Sequence, residues 1–181
     1  MKLTELIAKT YDCESFESRA VDPALLRELW EAVRLTSSAA NTQPWEVYLV
    51  LDAGIKEKLD GFVLDAMLRS GAGGNPVSRA PVALVVAFDR KRSAARFGQV
   101  GETLFAIQDT AAAIAHLRLA AAELGLGTRW IREVDLEQTA AALRCRPGIL
   151  PVALITLGYP LKEGEEPPLL KAADWLHTLK G

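Results

Sequence analysis

The sequence of 181 residues sets 21 Lys and Arg against 23 Asp and Glu, a formal net charge of −2, and half of it is hydrophobic. So even a balance leaves no electrostatic surplus for gripping a nucleic-acid backbone or an anionic membrane. With 13 Gly, 9 Pro and 24% charged residues, collagen-like and disordered compositions are excluded as well. A chain of this length buries roughly two-thirds of its unfolded surface, so residues 1–181 are expected to form one domain.

Leu3 to Ala8 reads as a short first helix. The second is better marked: Asp22 suits an N-cap and Pro23 the first helical position, while Leu26, Leu29, Trp30 and Val33 recur at helical spacing up to about Leu35. Thr36 to Pro44 is a loop, because Ser and Asn compete for backbone hydrogen bonds and Pro44 cannot continue a helix. Glu46 to Leu51 follows as a strand. A helix from about Ile55 to Leu68 runs into Gly71-Ala72-Gly73-Gly74-Asn75-Pro76, expected to be the most flexible stretch. Pro81 to Phe88 is an unbroken apolar run, as in a central strand covered on both faces. Asp89 to Gly101 reads as a charged loop. Glu102 to Leu124 is the longest helix, stopped by Gly125, and its all-round apolar middle, Ala111 to Ala115, predicts burial. An extended piece through Ile131, a helix capped by Asp135 and reaching about Arg144, and a strand at Pro151 to Leu157 follow. The tail from Lys162 carries Glu163, Glu165, Glu166 and Pro167-Pro168 ahead of an apolar turn at Trp175, and is expected to lie on another subunit. Few strands and no regular β-α alternation predict an α+β fold, with four or five strands and helices across both faces.

The side-chain chemistry is sparse. His116 and His177 are the two histidines, and neither has a second His or Cys at ligand spacing, which sets a zinc site aside. Cys13 and Cys145 form no CxxC and no disulfide scaffold, so a reducing, cytoplasmic setting is expected. Glu5 and Lys9 interrupt what a signal peptide needs as an apolar core, and the longest apolar run, Ile149 to Leu161, is too short to span a bilayer. Cys145 lies between Arg144 and Arg146, which favours a thiolate, but no base or resolving cysteine accompanies it. GxSxG is absent. Gly71, Gly73 and Gly74 lack the following Lys-Ser/Thr of a phosphate loop and do not open a helix after a strand. Arg90, Lys91, Arg92 and Arg96 are a solvated basic run or a phosphate contact. Trp45, Phe97, Phe105 and Trp130 line a flat pocket or belong to the core. With no acid-base pair, nucleophile or metal, any enzymatic chemistry has to come from a bound cofactor.

The segment Ala32-Val33-Arg34-Leu35-Thr36-Ser37-Ser38-Ala39-Ala40-Asn41-Thr42-Gln43-Pro44-Trp45 resembles the helix-to-strand loop of the nitroreductase family of flavin enzymes, of the form aRlaPSaxNxQPW. Three further stretches match in order: the strand Ala80 to Phe88, the long helix running into Glu123-Leu124-Gly125-Leu126-Gly127-Thr128-Arg129-Trp130-Ile131, and the strand ending Leu157-Gly158-Tyr159-Pro160. The resemblance implies a homodimer with two FMN molecules at its interface and C-terminal arms crossing onto the partner. It also implies a two-step reaction, in which NAD(P)H reduces the flavin and leaves, and a small-molecule acceptor such as a nitroaromatic or quinone then takes the electrons. Position by position, Ser38 and Asn41 would contact FMN, Ser37 stands where the family usually has Pro, and Gln43 supports the loop. Ile131-Arg132-Glu133 occupies the place whose backbone amides meet the flavin ring; such donors stabilise an anionic reduced ring without a titrating side chain.

The chain also departs from the pattern. Where the family carries Arg-Arg-Ser-x-Arg for the FMN phosphate, this sequence reads Thr10-Tyr11-Asp12-Cys13-Glu14-Ser15-Phe16, and a second family arginine falls near Glu166. A charge-assisted hydrogen bond is worth roughly 1.5–3 kcal/mol, so two lost partners weaken FMN by about a hundredfold or more unless other cations substitute. Charge and location nominate Arg19, Lys162, Arg90 and Arg92. Two functions are therefore expected to compete: an FMN-dependent NAD(P)H oxidoreductase, and a redox-inactive relative that binds another ligand or none.

Overall fold

The computed structural model describes residues 2–66, 68 and 74–179. Its strands are β1 (Trp45–Val50), β2 (Val82–Asp89), β3 (Gly127–Ile131) and β4 (Ile149–Gly158). The helices are α1 (Leu3–Ala8), α2 (Pro23–Arg34), α3 (Ala53–Phe62), α4 (Arg90–Val100), α5 (Ala106–Glu123) and α6 (Leu136–Ala142). The two runs richest in aliphatic residues, β2 and β4, pair at the centre of a four-stranded sheet ordered β1-β2-β4-β3, with every pair antiparallel. This is the α+β layering expected from the sequence, with four strands.

The pleat decides which helix meets which residue. Val82, Leu84 and Val86 of β2, with Ala153, Ile155 and Leu157 of β4, face Leu26, Leu29 and Val33 of α2 and Ala113, Ile114, Leu117 and Ala121 of α5. The opposite face sends Ala83, Val85 and Leu154 against Leu59 of α3 and against Val63, Val77, Ile131 and Val134. Four helices are capped by aspartates: Asp22 accepts from the Ala24 amide, Asp52 from Ile55, Asp89 from Lys91 and Asp135 from Gln138. At the end of α5, Gly125 turns to φ +73° and the Leu126 amide reaches back to the Ala121 carbonyl at 2.8 Å, closing the helix as its glycine predicts.

Three expectations are corrected. The charged stretch after β2 is helix α4, capped by Asp89 and running through a π-helical turn, Gly101–Phe105, into α5. Arg, Lys and Ala are good helix formers, so charge density marked solvent exposure rather than a loop. Within the chain α5 is buried on one side only: Ala113, Ile114 and Leu117 are buried while Ala112, Ala115 and His116 are exposed. A run of alanines is apolar all round but too small to reveal which face is covered. The third helix stops at Phe62, six residues early, because Val63 turns extended and bridges to Val134. Gly71 and Gly73 lie outside the described residues.

The two sheet edges differ. The outer edge of β3 is covered by the N-terminal segment, whose Cys13 amide donates to the Thr128 carbonyl at 2.9 Å and whose Asp12 Oδ1 accepts from the Trp130 amide at 3.0 Å. β1 has β2 as its one neighbour in the sheet. The tail is tied down at its start, where the Leu161 amide meets the Ser15 carbonyl at 3.1 Å and Lys9 pairs with Glu163, and further on Leu169, Leu170, Trp175, Leu176 and Leu179 are 60–97% exposed. Among the described residues no helix is long and apolar enough to cross a membrane.

Candidate functional site

The loop between α2 and β1 is held in a conformation that its residues do not favour. Ala40, Asn41 and Gln43 all sit at positive φ (46°, 56° and 44°), although none is glycine. Such backbone costs about 1–2 kcal/mol per residue and persists only where its surroundings over-determine it. The anchors are visible. Ser38 Oγ accepts from the Gln43 amide at 2.9 Å, and Asp109 of α5 accepts from the Ala39 amide at 3.0 Å. Thr42 Oγ1 lies 3.2 Å from the buried Ser93 Oγ of α4, and Arg92 donates to the Gln43 carbonyl at 2.9 Å and pairs with Glu46. At the start of the loop, Thr36 Oγ1 is 2.9 Å from His116 Nδ1. Ser38 thus braces the turn, and Gln43 is held through its backbone. Ser37 and Asn41 are exposed, with no side-chain hydrogen bond among the described residues.

Ile131, Arg132 and Glu133 lie at the other edge of the sheet, where β3 ends. Ile131 is buried and its two successors are exposed. The Glu133 carbonyl accepts from the Leu64 amide at 2.8 Å, yet the amides of Arg132 and Glu133 find no acceptor among the described residues. Both residues, with Asp12 and Trp130, help to line a hollow of about 230 Å³. The Arg132 guanidinium stacks on Trp130 at 3.8 Å from the ring centroid.

Arg132 and Asp12 also border a second, larger cleft of about 560 Å³ between the N-terminal segment and the turn at Lys162–Glu165. Arg118 of α5 forms its floor, with the side chain 12% exposed. It donates to Asp12 Oδ1 at 2.7 Å, to the Thr10 carbonyl and to Thr128 Oγ1 at 3.1 Å. Burial pulls its pKa below the ordinary arginine value, and Asp12 pushes it back up. The one signal the sequence offers for Arg118 is that it is the single arginine or lysine of α5. The turn is fixed against Tyr11, since a Cβ at Gly164 would come within 2.5 Å of the Tyr11 carbonyl.

None of the cations nominated as substitutes for the missing arginines stands free. Arg90 pairs with Glu102, Arg92 with Glu46 and Asp89, Lys162 with Glu165, and Arg19 with Glu17 while lying 3.3 Å over the Tyr159 ring. Phe97 and Phe105 meet edge to face at 5.0 Å between α4 and the π-helical turn, Trp45 packs on the core, and Trp130 alone of the four aromatics borders the hollow. No cluster of metal-ligating side chains occurs among the described residues.

The two predicted halves do not meet within one chain. β1 and β3 are separated by three inter-strand spacings, about 14 Å, and the loop before β1 and the residues after β3 lie toward the same end of the sheet at opposite edges.

A family model described as "Nitroreductase family" matches residues 7–159, which include both halves. The chain belongs to the nitroreductase family. Among curated relatives it is 29% identical to a candidate NADH dehydrogenase/NAD(P)H nitroreductase from Archaeoglobus fulgidus, over 82% of this chain and 79% of that protein. It is 28% identical to an NADH dehydrogenase of Thermus thermophilus, over 80% of each. Among solved structures, a nitroreductase family protein from Streptococcus pneumoniae superposes with a TM-score of 0.85 at 22% identity, covering 98% of this chain and 100% of that one. The NADPH:FMN oxidoreductase of Vibrio harveyi gives 0.83 at 21% identity, covering 98% and 77%. These likenesses fix the fold, and family membership makes the chain an oxidoreductase enzyme.

A flavin is the group such a site implies. The ring end fits: two unpaired amides and an aromatic side chain border one hollow. The adjoining cleft mixes charges: Asp12 pairs with Arg118, Glu165 with Lys162 and Glu163 with Lys9, which leaves Glu14 and the Arg132 guanidinium without an ionic partner among the described residues.

Proposed function

We propose that this nitroreductase-family member is a flavin-dependent NAD(P)H oxidoreductase passing two electrons at a time, in ping-pong fashion, to a nitroaromatic, quinone or similar acceptor. The observation that carries the reading is the pair of unpartnered amides at Arg132 and Glu133 beside Trp130. The flavin ring supplies the redox chemistry, and FMN shares that ring with other flavins. The relatives named for NAD(P)H and the Vibrio harveyi neighbour named for NADPH and FMN support the donor and the cofactor class. What the chain's own residues provide is binding and orientation. The amides at Arg132 and Glu133 donate to a ring that gains negative charge. The loop Ser37–Gln43, with Ser37 and Asn41 exposed, supplies polar groups from the other sheet edge.

Two halves at opposite edges of the sheet form one site when a second copy brings its loop to the first copy's β3. A homodimer is accordingly part of the proposal. Leu35, Val100, Leu104 and Ile107 support it by exposing 44–67% of their surface around the open face of α5, and the uncovered apolar tail supports the crossing arms. Removing residues 166–181 is expected to shift the mass in light scattering from that of a dimer toward that of the shortened monomer; an unchanged dimer counts against the arms.

The cleft, with Asp12 and Glu14 where the family carries arginines, favours a second reading, a redox-inactive binding protein in which FMN is weak or lost. The deciding experiment supplies flavin in excess and follows NAD(P)H consumption with a quinone acceptor, alongside the visible spectrum. Uptake of flavin with turnover is the expected result. A protein that stays colourless and inert refutes the oxidoreductase reading.

A further inference from the structure

The strained residues Ala40, Asn41 and Gln43 are gripped at both ends from outside their loop. Within it, the Asn41 amide donates to the Ser38 carbonyl at 3.0 Å, the Thr42 amide to the Ala39 carbonyl at 3.1 Å, and the Gln43 amide to Ser38 Oγ. These local bonds leave out the Ala39 amide, whose acceptor is Asp109 Oδ2 of α5 at 3.0 Å. At the far end the Gln43 carbonyl accepts from Arg92 of α4. Asp109 and His116, two helical turns apart, share one face of α5. They meet Ala39 and Thr36, so the loop is laid along that face. The anchoring groups differ in what else they do. Arg92 also pairs with Glu46 and Asp89, and His116 meets the loop before the strained residues begin. Asp109 is half-buried, and among the described residues it has no ion pair and makes one hydrogen bond, to the amide next to Ala40. Its contribution therefore falls on the conformation of the residues that follow.

From this we infer that Asp109 is a positioning residue: it holds Ala40 and Asn41 at positive φ and so presents the exposed Asn41 side chain to the flavin held by a second copy. The inference rests on the flavin and homodimer reading above and adds the residue that sets the loop's shape. Without the carboxylate the Ala39 amide loses its acceptor, and Ala40 relaxes toward negative φ, where alanine is unstrained. The fraction of loops competent to bind then falls, and apparent affinity falls with it. Glycine adopts positive φ without the steric penalty, so Ala40→Gly should restore what Asp109→Ala removes.

The test is a set of fluorescence titrations with FMN on the full-length protein and its variants, paired with urea denaturation of the flavin-free forms. Asp109→Ala is expected to raise the FMN Kd about tenfold. Asp109→Asn, which keeps an oxygen for the Ala39 amide, should stay within about threefold of the parent. Adding Ala40→Gly to Asp109→Ala should bring the Kd back to within about threefold and raise the urea midpoint. FMN binding by Asp109→Ala as tight as the parent's overturns the inference, and so does a loss that Ala40→Gly leaves in place. An Asp109→Ala protein without cooperative unfolding overturns it too, since Asp109 would then support the whole fold. In each of these cases the flavin reading stands. An unmodified protein that takes up no FMN brings down both, and that outcome is read on the parent alone, before any variant.

Discussion

Arg118→Met tests whether the buried guanidinium is what holds the N-terminal segment against the sheet. Methionine keeps much of the apolar stem and removes three hydrogen bonds, to Asp12, to the Thr10 carbonyl and to Thr128 Oγ1. Breaking a buried ion pair from one side costs about 3–5 kcal/mol. Here the Asp12 side chain is 42% exposed, so water recovers part of that loss. The Thr10 carbonyl and Thr128 hydroxyl, left without the cation, bring the expected total to about 2–3 kcal/mol. For a domain of this size that corresponds to a fall in Tm of roughly 4–12 °C, read by circular dichroism at neutral pH. Because Asp12 also holds the Trp130 amide, a double-mutant cycle with Asp12→Asn separates the pair from its surroundings. The coupling is expected at about 1 kcal/mol or more. A variant within about 0.5 kcal/mol of the parent, the range of an ordinary surface substitution, refutes the assignment.

Gly101→Ala places a methyl group 2.4 Å from the Ser93 carbonyl oxygen; the shift it forces in α4 is expected to cost about 1–3 kcal/mol, measured by urea denaturation, and to loosen the loop that Ser93 and Arg92 brace. The two thiols should differ in a disulfide-exchange assay at pH 8. Cys145, half-buried, reacts in the folded protein, whereas Cys13, 1% exposed and with its pKa raised by burial, waits for unfolding. Equal rates would contradict that placement. Asp135 is held below the usual carboxylate range, first by the backbone amide of Gln138 and then by its side chain. A depressed carboxylate stabilises the fold above its unfolded pKa and loses that contribution as pH falls through the folded value. The stability difference between the parent and Asp135→Asn should therefore vanish toward low pH, and a pH-independent difference argues against a charged cap.

Much of this molecule follows from local chemistry that a sequence displays directly. Asp22 before Pro23, Asp135 before Leu136 and Gly125 after Leu124 mark helix boundaries through hydrogen bonds made within a few residues. The apolar runs at Val82–Asp89 and Ile149–Gly158 are central strands because only burial on both faces tolerates such composition. The loop at Ser37–Gln43 was readable from its residue types, and so was the replacement of basic residues by Asp12 and Glu14. Tertiary structure decided the rest, since it depends on what folding brings alongside. Only there does the Asp89–Gly101 stretch become a helix whose Arg92 and Ser93 brace a loop more than 45 residues earlier in the chain. Only there do the cations that composition offered as phosphate ligands turn out to be paired with neighbouring acids. The placement of the two half-sites at opposite edges of the sheet belongs to strand order, which no local pattern encodes. Near-neutral charge was legible from the first count. Where the acids gather, around the cleft at Arg118, is set by chain segments more than a hundred residues apart meeting in space.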